Sequence, residues 1–376
     1  MPSLPTMPRS LVARVAHVRR KKFNPVTVPR PDGPSRRWGQ SRMMSVRRQV
    51  RVVEVIRETD NAVTLVLETL DRQPVEFRAG QYLTHCFDID GATVKRAYSI
   101  CAAEGHRLAC TVKAIDSGVA SNFVHHHVVA GYEYTVLGPS GDFLLPDDDS
   151  APLLFLAAGS GITPVISMVE TALLQSPERE ISLVYAARRQ SEIIFARRLS
   201  ALVDAYPQLR VVHVLSQPEP AWPGEAGRLT GERAAGLLTA GPDAQVFLCG
   251  PTELMDDTAA ALTLAGVAAG RIHRERFYAA PQHTGTLPTE PHDVEFCASG
   301  RTITQQPGET ILEAGLRSGL RLDFSCTVGG CASCKLKVIS GAVAVDEPNC
   351  LTEQERSGGY ILSCSAYAQE NVVLDA

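Results

Sequence analysis

The sequence predicts a multidomain chain: an antiparallel β-barrel, then an α/β domain built on a parallel sheet, then a small domain of short strands. Three observations carry this. The chain has 376 residues, 44% hydrophobic and 21% charged, a globular composition too long for one ordinary core. From Arg48 it runs in alternating strand-like segments, and after Pro146-Asp147-Asp148-Asp149 it switches to short apolar runs alternating with helix-length stretches. The last stretch, 292–376, combines short strands with a closely spaced set of cysteines.

Residues 1–45 carry Arg9, Arg14, Arg19, Arg20, Lys21, Lys22, Arg30, Arg36, Arg37 and Arg42 against one acid, Asp32, with prolines between them. Too little apolar surface is available there to offset ordering, so the segment reads as a mobile basic tail. A targeting peptide and a partner-docking arm stay open. Residues 46–148 contain VRVVEVIRE, AVTLVLETL, QYLTHCFDI, RAYSICA, RLACTVKAI and EYTVLGPSG, divided by Gly, Asp and Pro turns, a spacing that suggests an antiparallel barrel. In 149–280, the runs PLLFLAAG, ISLVYAA, VVHVLSQ and QVFLCG alternate with helices expected at about 164–174, 193–206 and 252–265. Strand–helix alternation indicates a doubly wound parallel sheet. A polar, turn-rich linker, 281–291, leads into 292–376.

Net charge is −4 and the pI is near 6.2, which gives no case for a nucleic-acid partner. The longest apolar stretch, Ala151 to Val169, is broken by Gly159, Gly161 and Pro164 and does not read as a membrane span. The ten cysteines do not form a small secreted disulfide framework, and no long apolar signal segment opens the chain. A reducing, cytoplasmic setting is expected. Cys86, Cys101, Cys110, Cys297 and Cys350 read as small buried hydrophobes.

Cys326-TVGG-Cys331-AS-Cys334, followed by Cys364, has the spacing C-x4-C-x2-C…C of a plant-type 2Fe-2S cluster. Two irons need four thiolates, three of them converging from one tight loop. Gly329 and Gly330 suit a loop that turns its N–H groups toward sulfur. Structural zinc would show paired C-x2-C knuckles, and only one pair exists. Cys350 lies in what reads as an exposed turn, before the capping box of Thr352 and Glu355, so Cys364 is taken as the fourth ligand. The segment resembles the plant-type ferredoxin domain, which implies a β-grasp fold.

Arg96-Ala97-Tyr98-Ser99 lies on a strand, and each residue type has a use around a flavin. Arg96 can neutralise a phosphate, the Tyr98 ring can lie against the isoalloxazine, and the Ser99 hydroxyl can bond near N5. The stretch resembles the RxYS signature of the ferredoxin reductase-like flavoproteins. Gly118-Val119-Ala120-Ser121-Asn122 resembles their second phosphate-binding element, with Gly118 and Ser121 as contacts, and Gly138-Pro139-Ser140-Gly141-Asp142-Phe143 resembles the element closing the barrel. The resemblance implies FAD, with FMN less favoured.

Gly159-Ser160-Gly161-Ile162-Thr163-Pro164 follows a strand and opens a helix. Gly159 and Gly161 would let backbone approach a pyrophosphate, with Thr163 as helix N-cap and Pro164 in the first turn. Cys249-Gly250-Pro251 ends a strand at the carboxyl edge of the sheet, where open α/β folds bind ligands. The resemblance implies that the first loop contacts NADH or NADPH and that Cys249 stands beside the nicotinamide as a positioning contact. It also implies that Glu275 and Phe277, in Ile272–Phe277, reach the far side of the flavin. NADH is preferred to NADPH, although Arg188 and Arg189 also suit a 2′-phosphate. His125-His126-His127 reads as a solvated helix end, since adjacent residues cannot converge on one ion.

The domain order resembles that of bacterial NADH-dependent reductases with a C-terminal 2Fe-2S domain, among them the reductase components of Rieske oxygenases that demethylate glycine betaine or carnitine, and hybrid-cluster-protein reductases. It implies transfer from NAD(P)H through FAD to the cluster, with Ser99, Cys249 and Glu275 at the reacting centre, and on to a terminal oxygenase, with demethylation of a quaternary ammonium compound as one reading. A hybrid-cluster or haem protein is the alternative acceptor. A non-catalytic electron carrier or scaffold is the alternative from another class.

Overall fold

The computed structural model describes residues 46–147, 150–238, 241–277 and 287–376. The expected basic tail, 1–45, and the expected linker up to residue 286 lie outside the described residues.

Six strands build the first domain: β1 (Arg47–Thr59), β2 (Ala62–Thr69), β3 (Tyr82–Ile89), β4 (Ala92–Ser99), β5 (Ala109–Lys113) and, after helix α1 (Val119–His127), β6 (Glu133–Ser140). Their order is β4-β3-β6-β1-β2-β5, all antiparallel. The sheet curls until Ile100, just past β4, bridges Cys110 of β5. Asp90 and Gly91 both take positive φ between β3 and β4, the two-residue hairpin geometry that matches strand twist.

The second domain contains β7 (Leu153–Ala158), α2 (Ile162–Gln175), β8 (Ile181–Ala187), α3 (Ala196–Ala205), β9 (Leu209–Leu215), β10 (Glu225–Ala226), α4 (Gly231–Leu238), β11 (Gln245–Cys249), α5 (Thr252–Leu264) and β12 (Ile272–Glu275). The sheet is parallel throughout, in order β10-β9-β8-β7-β11-β12. Connections leave β7 and β11 in opposite directions, so the crevice between their carboxyl ends is the ligand position of this architecture. Helix α3 starts three residues later than the sequence suggests, because Phe195 holds a left-handed conformation.

The third domain has β13 (His292–Phe296), β14 (Arg301–Gln305), α6 (Ile311–Arg317), β15 (Lys335–Ser340), β16 (Val343–Val345), α7 (Glu353–Ser357), β17 (Tyr360–Leu362), β18 (Ala366–Ala368) and β19 (Val372–Asp375). Its five-stranded sheet, β14-β13-β19-β15-β17, and the β16-β18 pair form the β-grasp. Helices α6 and α7 each start with a complete capping box, Thr310 with Glu313 and Thr352 with Glu355.

One apolar cluster runs without a break from the barrel (Val50, Leu65, Val136) through α2 (Val165, Met168) to one face of the parallel sheet (Phe155, Phe247). Ser167 Oγ donates to the Ala102 carbonyl at 2.5 Å and Arg198 to the Cys101 carbonyl at 2.9 Å across the same junction. The other face of the sheet carries a second cluster under α4 and α5. The β-grasp domain has apolar clusters of its own, sharing no residue with the first two. Among the described residues no helix is long and apolar enough to cross a membrane. Cys101 and Cys110 are buried as expected, but Cys86 and Cys350 are only partly buried and Cys297 is exposed, in the turn between β13 and β14.

Candidate functional site

The cysteine loop bends sharply, with positive φ at Thr327, Gly329 and Ala332. The N–H groups of Val328 and Gly330 point at Cys326 Sγ (3.4 and 3.3 Å), and that of Cys326 at Cys331 Sγ (3.4 Å). The four thiols meet in two pairs, Cys326 with Cys331 and Cys334 with Cys364. Within each pair the shared hydrogen bond lowers one thiol, Cys331 or Cys334, and raises the other, Cys326 or Cys364. Among the described residues no three His, Cys, Asp or Glu side chains converge on one ion position. Two plus two is the division a two-iron cluster requires, whereas tetrahedral zinc requires one point of convergence. The donor set fits the 2Fe-2S group.

One expectation here is corrected. Residues 346–350 are only in part an exposed turn: Pro348 is exposed, but Asn349 is 5% exposed, its amide bonds to the Asp346 carbonyl and Glu347, and the Cys350 N–H donates to the Gly329 carbonyl at 3.0 Å. The segment packs under the cysteine loop because Asn349 satisfies its own turn.

On β4, Arg96 is half-buried, and its guanidinium donates to the Lys95 carbonyl with no carboxylate partner among the described residues. Such an unneutralised cation fits a phosphate. The half-buried Tyr98 ring stands edge-on to His85, 5.2 Å away. Ser99 is 5% exposed and opposes Tyr82 across the ladder. Gly118 is the N-cap of α1. Ser121 turns its hydroxyl inward, accepting from the Ile115 N–H and donating to the Gly118 carbonyl at 3.3 Å each, so its side chain shapes this loop. His126 and His127 end α1 exposed, while His125 bonds the Val112 carbonyl.

In the second domain, Gly159–Gly161 form a 3₁₀ turn with Gly159 at φ +55°. This turn starts α2 at Ile162 with Gly161 as N-cap. Thr163 is therefore inside the helix, not its cap, and its hydroxyl donates back to the Ser160 carbonyl at 3.0 Å. Pro164 sits buried in the first turn. Gly161 also does other work than expected. A Cβ there would lie 2.1 Å from the Cys249 carbonyl oxygen, and one on Gly250 would lie 2.9 Å from Ala158 Cβ. Both glycines let the β7 and β11 loops touch. Pro251, exposed, caps α5. Cys249 is 1% exposed, and burial pushes its thiol well above the ordinary range, favouring the neutral form.

Two residues that sequence reasoning missed stand at this loop. Tyr185 Oη donates to the Gly159 carbonyl at 3.1 Å and accepts from the Ile194 N–H at 3.2 Å. Lys113, at the end of β5, places Nζ 3.8 Å from where a Cβ of Gly159 would stand. A tyrosine inside an apolar strand and a lysine on another domain carry no local signal of this proximity.

Glu275 opposes Cys249 in the β11–β12 ladder. Burial first, then charge at Cys331 and Asp142, raises its carboxyl to about 8. Phe277 is 48% exposed and outside the cleft. Glu275 lines a cleft of about 310 Å³ with Tyr82, Gly141, Asp142, Phe143, Ser325 and Cys331. All three domains thus meet at one cavity. Tyr82 Oη and Ser325 Oγ are 2.8 Å apart, Thr84 Oγ1 donates to the Cys326 carbonyl at 2.9 Å, and Lys95 pairs with Glu313 at 3.3 Å.

Residues 49–144 match the oxidoreductase FAD-binding domain family, 155–260 the oxidoreductase NAD-binding domain family, and 294–369 the 2Fe-2S iron-sulfur cluster binding domain family. The chain is 33% identical to a component of the 1,2-phenylacetyl-CoA epoxidase of Escherichia coli, over 88% of this chain and 98% of that protein. It is 30% identical to the reductase of the glycine betaine monooxygenase of Chromohalobacter salexigens, over 94% and 98%. Phthalate dioxygenase reductase has the same fold, with a TM-score of 0.64 at 24% identity over 88% of this chain and 98% of that one. The chain belongs to the family of oxidoreductases that join FAD-binding, NAD-binding and 2Fe-2S domains as the reductase components of oxygenase systems.

Proposed function

We propose that electrons pass from NAD(P)H to the flavin at β4, then to a cluster held by Cys326, Cys331, Cys334 and Cys364, and leave for an oxygenase component. A flavin held there would supply the conversion of a two-electron hydride into single electrons. Arg96 neutralises a flavin phosphate, Tyr98 lies against the ring system, and Ser99 bonds near N5. The α1 amides at Gly118–Ser121 receive the diphosphate. The Gly159–Pro164 turn, with Lys113 above it, receives the pyrophosphate of the nucleotide. Cys249, with Gly250 and Pro251, shapes the nicotinamide position, and Glu275 stands beside it.

The observation that carries this reading is the single cleft on which β3, β12 and the cysteine loop converge. The relatives name different substrates, an acyl-CoA epoxidation and a betaine oxygenation. Demethylation of a quaternary ammonium compound rests on the second resemblance alone. Anaerobic absorbance titration with NADH and with NADPH tests the path. Bleaching of the flavin bands and loss of 2Fe-2S bands with one nucleotide supports it and names the donor. A flavin that bleaches beside a cluster that stays oxidised, with or without the oxygenase partner, refutes it.

A further inference from the structure

The polar contacts of β3 with the cysteine loop serve a purpose that packing does not require. The β-grasp domain has its own apolar clusters, and none merges with the core shared by the other two domains. Its seat on the barrel includes directional contacts: Tyr82 to Ser325, Thr84 to the carbonyl of Cys326, and Lys95 to Glu313. Thr84 is 1% exposed and its bond to the Cys326 carbonyl is buried, so that bond is shielded from water, where a lost partner costs most, while the Tyr82–Ser325 bond is part-buried at the rim of the cleft.

These residues face two ways along one ladder. Tyr82 opposes Ser99, Leu83 opposes Tyr98, and Thr84 opposes Ala97. The strand that aligns the flavin residues of β4 is therefore the strand that grips a cluster cysteine. Gly141 keeps the tyrosine ring in place, since a Cβ there would come within 3.0 Å of it.

We infer that Tyr82 and Thr84 are positioning residues that seat the cluster loop against the flavin strand in the arrangement that transfers electrons. The inference rests on the proposed path. Each hydride delivers two electrons; they pass singly across this seat, and the acceptor reoxidises the cluster between the two passages. A seat made of a few exchangeable hydrogen bonds, not a merged core, lets the domain leave after reduction and present its cluster elsewhere.

The test uses Thr84→Val, Tyr82→Phe and the double variant in the full chain with its cofactors, with Thr84→Ser as the conservative control. Stopped-flow absorbance separates flavin reduction from cluster reduction. Flavin reduction in Thr84→Val is expected within twofold of the parent, while cluster reduction slows about tenfold, the factor one buried hydrogen bond carries. Thr84→Ser restores it. Hydrogen exchange of the 320–331 segment, measured without nucleotide, rises about tenfold in Thr84→Val and further in the double variant. Cluster reduction at the parent rate in the double variant, or unchanged exchange, overturns the inference. Failure of flavin reduction by either nucleotide in the parent chain instead overturns the path on which it rests.

Discussion

Gly161 and the carbonyl of Cys249 stand so close that a single added methyl group would come within 2.1 Å of the oxygen. The turn that opens α2 and the strand end that carries the cysteine are thus fitted to each other without slack. Gly161→Ala forces one of them to move, at roughly 1–3 kcal/mol by the ordinary cost of overpacking. The KM for NAD(P)H is expected to rise at least several-fold and the melting temperature to fall. Steady-state kinetics and thermal unfolding check this, and unchanged values of both would refute the tight fit.

The two-by-two pairing of thiols makes a selective prediction among the cysteines. Serine at Cys326, Cys331, Cys334 or Cys364 is expected to abolish or greatly reduce the 2Fe-2S absorbance and the EPR signal of the reduced protein. Cys350→Ser is expected to keep both, because that residue holds Gly329 through its backbone N–H. Loss of the cluster in Cys350→Ser would reassign the ligands.

Lys113 reaches from the barrel to the Gly159 turn and stands 4.0 Å from Glu192, and its charge is expected to act on binding. Replacing it by alanine removes one charge-assisted contact, worth about 1.5–3 kcal/mol when well formed, and its partial exposure scales the loss toward three- to tenfold in Kd. The rate of flavin reduction at saturating nucleotide should stay near that of the parent, the pattern of an interaction equal in ground and transition states. A fall in the saturated rate with Kd unmoved would place the lysine in the chemical step.

His85 is fully buried between Tyr98 and Tyr134, and burial lowers its pKa to about 3. Only the neutral ring fits, so the unfolded chain takes up a proton first as pH falls. The contribution is complete above the unfolded value of about 6.5 and is lost between there and about 3, at roughly 1.4 kcal/mol per pH unit. At pH 5 the loss is about 2 kcal/mol. His85→Phe keeps a ring in place, gives up the 2.8 Å hydrogen bond to Tyr134 Oη and removes the titration, so its melting temperature starts lower but should drop less between pH 7.5 and pH 5 than that of the parent. Equal drops would show that the histidine does not carry this dependence.

Much of this was readable in the chain because the signals are local. The cysteine spacing, the strand-to-helix glycines and the change of hydrophobic rhythm each sit within a few residues, and the folds they imply are the ones observed. Thr163 misled because a Thr-Pro pair at a helix start suggests a cap, yet the preceding glycines form a 3₁₀ turn that moves the start upstream. Lys113, Tyr185, Tyr82 and Thr84 were illegible for the opposite reason. Each acts on a segment brought near by tertiary folding: Thr84 and Cys326 are 242 positions apart, and no pattern in either neighbourhood names the other. Asn349 looked like a surface turn residue because its partners, the Asp346 carbonyl and Glu347, satisfy it locally, which is also what lets its side chain be buried.

The continuous apolar cluster through barrel, α2 and parallel sheet has a consequence for heredity as well as for folding. Residues on both sides of that junction must change together, so a recombination breakpoint between them would leave two halves with mismatched faces. The β-grasp domain, whose hydrophobic interior is self-contained, imposes no such linkage on its coding sequence. Transposed to the other end of a gene, or released as a separate polypeptide, it would carry its whole interior with it, and what selection would have to rebuild is a handful of polar handholds on two neighbouring strands.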